Sequence, residues 1–65
     1  MKKNHYYLVV QHTDSSNSSH CLFNLKEARM RAKEMVGDTE RFPTMVEVRI
    51  CNALKVGAMK ERIKR

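Results

Sequence analysis

The chain has 65 residues, with 13 Lys or Arg against 7 Asp or Glu and a formal net charge of +6. That length holds one domain, residues 1–65, and a domain so short buries only about 60% of the surface its unfolded chain exposes. The first apolar run, residues 6–10, is too short for a signal-peptide core or a membrane span. A cytoplasmic protein without membrane partners is therefore expected, with Cys21 and Cys51 as reduced thiols serving as small core hydrophobes.

The charge is concentrated at the ends. Across residues 4–54, Lys26, Arg29, Arg31, Lys33, Arg41 and Arg49 are balanced by Asp14, Glu27, Glu34, Asp38, Glu40 and Glu47. Lys2 and Lys3 add charge at the start. The basic segment 55–65 sets Lys55, Lys60, Arg62, Lys64 and Arg65 against Glu61.

Residues 5–12 are aromatic and β-branched and predict a strand, with Tyr6, Leu8 and Val10 on one side and Tyr7 and Val9 on the other. Two apolar faces suit a central strand covered on both sides. Residues 13–19 are a loop by composition. Residues 20–23 predict a short second strand, with Val10 facing Leu22 and His12 facing His20. Next, Asn24 and Glu27 make a helix cap, and Leu25, Ala28, Ala32, Met35 and Val36 share one helical face. A helix over residues 25–36 follows, with Gly37 as its left-handed stop. After Pro43, residues 44–51 alternate, placing Val46, Val48 and Ile50 inside and Glu47 and Arg49 in water.

From Asn52 onward, Ala, Leu, Lys, Met, Glu and Arg favour a second helix, with Val56, Met59 and Ile63 as a narrow stripe and Gly57 a cost of about 1 kcal/mol. A hairpin returning through Leu54 and Val56 is the alternative, but no period-two pattern follows Gly57. The predicted fold is α+β: a small three-stranded antiparallel sheet of order 2-1-3 with a short second strand, one amphipathic helix on a face, and a C-terminal helix. That helix or a second copy of the chain, as a homodimer, would cover the far side of the first strand.

His12, Asp14, His20 and Cys21 flank one loop and carry metal-capable groups, but their spacing matches no zinc ribbon or finger, so no metal or cofactor is expected. The same loop offers Ser, His and Asp without a G-x-S-x-G elbow or a rigid scaffold, and Gly37 and Gly57 build no phosphate-binding loop. No catalytic residue emerges, and an enzyme is not expected. The remaining candidates are cationic. Lys55, Lys60, Arg62, Lys64 and Arg65 form one basic segment, and Lys26, Arg29 and Lys33 recur at i, i+3, i+7 on one helix flank beside the apolar Met30. Phosphate neutralisation by such side chains predicts a non-enzymatic, nucleic-acid-associated accessory protein. The alternative is a protein-binding inhibitor or adaptor of a larger assembly, of the kind phages and other mobile elements encode, with Met30 or a strand edge as its contact.

Overall fold

The computed structural model describes residues 4–13, 16–55 and 57–65. The chain runs β1 (Tyr6–His12), β2 (Ser16–Phe23), α1 (Leu25–Gly37), β3 (Met45–Asn52) and β4 (Met59–Lys64). One antiparallel sheet has the order β2-β1-β3-β4, with α1 packed on one face. The expected neighbours of the first strand are in place. Among the described residues, however, the sheet has four strands rather than three, and there is one helix rather than two. The predicted C-terminal helix is β4, and it pairs along β3 with Arg49 opposite Arg62 and Val48 opposite Ile63.

Local chemistry explains the substitution of strand for helix. Asn52 caps a turn: its side-chain oxygen accepts from the Leu54 N–H at 2.8 Å. The Asn52 N–H then donates to the Ala58 carbonyl at 2.8 Å, and the Ala58 N–H to the Lys55 carbonyl at 3.0 Å. Gly57 has φ +86°, a left-handed value that ends any helix and turns the chain back. Val56, part of the expected stripe, lies outside the described residues. In the strand, Ile63 packs against the core, which a solitary helix with so narrow a stripe would have had to build for itself.

The core lies between α1 and the sheet. Ala28 and Ala32, both fully buried, bring the helix backbone close to Tyr6, Leu8 and Val10 of β1 and to Met45, Val48 and Ile50 of β3. Val46 is not in this core. The pairing steps from Gln11 opposite Glu47 to His12 opposite Met45, so Val46 is the extra residue of a bulge and is 39% exposed. Met45 takes its place at 1% exposure. The predicted wet residue Glu47 is instead 6% exposed, on the face away from the helix.

Two other expectations are corrected. The Ser-rich stretch is not all loop, because β2 begins at Ser16, with Val10 opposite Asn17 rather than Leu22. An edge strand with a solvated outer side needs no apolar alternation, and composition therefore disguised it. Cys51 is buried as expected, but Cys21 is exposed, and neither thiol is in a disulfide.

The helix begins as its sequence dictates: the Asn24 side chain accepts from the Glu27 N–H at 2.8 Å and donates to the Glu27 carboxylate at 3.0 Å. Gly37 closes it without a positive φ, and the next residue, Asp38, donates its N–H to the Met35 carbonyl at 3.3 Å.

The two glycines should respond oppositely to substitution. An added Cβ meets nothing within 4 Å at either position. Gly57→Ala should cost about 1 kcal/mol through its φ alone, whereas Gly37→Ala should be neutral or stabilising. Urea unfolding of both variants checks the difference.

Candidate nucleic-acid interface

The eight candidate cations come from two segments that are distant in sequence, and two contacts bring them together. Arg29 of α1 donates through Nε to Glu61 Oε1 of β4 at 2.8 Å, and its Nη2 donates to the same oxygen. At the other end of the helix, Arg65 donates through Nε to the Val36 carbonyl at 2.9 Å and through Nη1 to the Pro43 carbonyl at 3.4 Å. The last turn of α1 contains no basic residue of its own. Arg65 supplies one from across the fold, where the helix dipole favours it. With residue 29 beside 61 and residue 36 beside 65, α1 lies along β4 and runs in the same direction.

Two cationic rows therefore flank one edge. Lys26, Arg29 and Lys33 span about 10 Å of helix at 1.5 Å per residue, and Lys60, Arg62 and Lys64 span about 13 Å of strand. Glu61 sits between the rows. The Arg29 hydrogen bond holds its carboxyl below the usual carboxylate range, and the charges of Arg29, Lys60 and Lys33 lower it further. A depressed acid contributes stability that is present above its unfolded pKa and lost as pH falls through the folded value, so this clasp loosens only in acid. Arg29 is correspondingly raised by the same bond.

The candidate residues do not all have the same freedom. Lys26, Lys33, Lys60 and Lys64 are exposed and enter no ion pair among the described residues. Arg29, Arg62 and Arg65 are each committed to a partner. Lys55 stands apart, in the turn before β4. Met30 is 53% exposed on the outer side of α1. Lys2 and Lys3 lie outside the described residues.

Arg62 belongs to a network that the alternation of β3 did not reveal. On the face away from α1, Arg62 donates through Nε and Nη2 to Glu47 Oε2 at 3.0 and 2.7 Å. Arg49 Nε stands 3.6 Å from Glu47 Oε1, and Arg49 Nη2 donates to Gln11 Oε1 at 3.3 Å. Glu47, with a side chain 8% exposed, thus lies between two guanidiniums spread across β1, β3 and β4. Among the described residues no helix covers the far side of β1, where Gln11 meets this network through Arg49. The only sequence signal was an acid and a base 15 residues apart, which a hairpin places on adjacent strands.

Asp14 of the suspected metal set lies outside the described residues, and no group of three or more metal-capable side chains occurs among those described. An open groove of about 400 Å³ separates α1 from β2, with Leu8, Phe23, Met35 and Phe42 among its lining residues. Among the described residues no helix is long and apolar enough to cross a membrane.

Glu47→Gln keeps the shape of the side chain but removes the charge between Arg49 and Arg62. It should lower the unfolding free energy by about 2 kcal/mol, the scale of charge-assisted bonds at a nearly buried carboxylate. Glu61→Gln, at an exposed clasp, should cost much less. Thermal unfolding at neutral pH checks the ranking.

The chain matches no protein-family model, and neither the curated proteins nor the solved structures contain a significant match to it.

Proposed function

We propose that the chain is a non-enzymatic, nucleic-acid-associated accessory protein of the cytoplasm that docks through the α1–β4 edge. The observation that carries this reading is the Arg29–Glu61 bond, which ties the helix row to β4 at one sheet edge with Lys33 and Lys60 beside it, while Arg62 and Lys64 flank the same edge on the face away from α1. Residues 55–65 set Lys55, Lys60, Arg62, Lys64 and Arg65 against Glu61 alone, which makes the β4 side of that edge a local field rather than part of a general excess. The exposed lysines supply phosphate contacts, and their spread of about 10–13 Å covers three or four nucleotide rises along a strand at 3.4 Å each. Lysine contacts of this kind go to the phosphate backbone, which makes the proposed binding charge-dominated and tolerant of sequence.

Truncating the basic segment is a poor test, since residues 60–65 include most of β4 together with Glu61, Arg62 and Arg65. Lysine substitutions should leave the fold intact, because these side chains are exposed and enter no ion pair among the described residues. Changing Lys26, Lys33, Lys60 and Lys64 to Gln should weaken binding to a duplex oligonucleotide, and the log–log salt slope should become shallower by about 0.9 for each phosphate no longer neutralised. Met30→Glu, at an apolar position that releases no counterions, should leave that slope nearly unchanged. Fluorescence anisotropy at two salt concentrations measures both. No binding by the intact protein tighter than about 100 μM, the weak end of non-specific affinity, would refute the reading.

A further inference from the structure

The two edges of the sheet differ in chemistry. On β4, Lys60, Glu61, Arg62 and Lys64 charge four of six positions, the usual guard against strand addition. On β2, the eight residues Ser16–Phe23 include no Lys, Arg, Asp, Glu or Pro. No strand pairs with its outer side among the described residues, and the open groove beside α1 leaves that edge accessible. Its pairing with β1 is regular over four successive residues, Ser19 to Ser16 opposite Leu8 to Gln11. Near its other end, Leu22 is 61% exposed.

We propose that β2 pairs with β2 of a second copy of the chain, antiparallel across a twofold axis, to give a continuous eight-stranded sheet. Charge selects this occupant. Each copy carries +6, so most approaches between copies bring like charges together. The β2 edge lies three strand spacings from β4, about 14 Å, and in the groove beside it Arg31 and Arg41 are balanced by Glu34 and Asp38, so it meets its own image without net repulsion. A twofold pairing also keeps the two cationic edges at opposite ends of the joined sheet, whereas an acidic partner would be drawn to β4 instead. One strand pair buries less than the roughly 1,200 Å² of a standard interface, so the dimer is weak and forms only at high concentration. The inference is independent of nucleic-acid binding.

Sedimentation equilibrium from about 10 μM to 1 mM, a range bracketing weak association, should show the mass rising from 7.6 kDa toward twice that value. Over the same range, the outward amides of β2 should gain protection from hydrogen exchange. Ser18→Lys and Leu22→Lys, both at exposed positions, should each weaken the dimer at least tenfold while circular dichroism stays unchanged. Lys60→Gln and Lys64→Gln should leave it intact. A 7.6 kDa species throughout, or a dimer indifferent to charge on β2, would overturn the proposal.

Discussion

The antiparallel pairing of β4 with β3 holds the last strand in the sheet, and the hydrogen bonds that Arg29 donates to Glu61 and Arg62 donates to Glu47 clasp it on both faces, to the helix on one side and to β3 on the other. Everything else at the basic edge depends on that attachment. Without β4 on β3, Ile63 leaves the core, Arg65 leaves the end of the helix, and Glu47 loses the stronger of its two partners in a nearly buried site. The helix flank would then stand alone, and the charge of the last residues would be a solvated tail. Attachment turns that tail into a surface.

The arginines and lysines of this surface have separate duties, and their chemistry explains the division. Arg29, Arg49, Arg62 and Arg65 each reach an acceptor elsewhere in the fold, with the planar guanidinium bonding through more than one nitrogen in three of them. Lys26, Lys33, Lys60 and Lys64 are point charges on flexible stems, and none joins an ion pair among the described residues. A ligand of dispersed negative charge suits such lysines, because they give up no internal bond to meet it. The arginines hold the shape and the lysines face outward.

The first strand, the capped helix and its apolar face were legible in the sequence because local signals sufficed: Asn24 with Glu27, and the spacing of Leu25, Ala28, Ala32, Met35 and Val36. Failures came where a tertiary partner outweighed propensity. Residues 59–64 have helix-forming composition, but the Gly57 turn and the pairing with β3 make them a strand. The alternation of β3 was right for Val48 and Ile50 and wrong for Val46 and Glu47, because a bulge expels the valine and Arg62 buries the acid. In sequence the eight candidate cations form two separate groups, and the contacts that join the two segments, Arg29 with Glu61 and Arg65 with the Val36 carbonyl, are between residues 32 and 29 apart.

The most direct test is the conformation of residues 59–64 in solution by NMR. Strand-like Cα and Cβ shifts across this segment, with cross-strand contacts in the register that sets Arg49 opposite Arg62 and Ile50 opposite Glu61, are the expected result. Helical shifts across the same residues, with sequential contacts in place of cross-strand ones, would contradict the attachment of β4 and separate the two cationic rows.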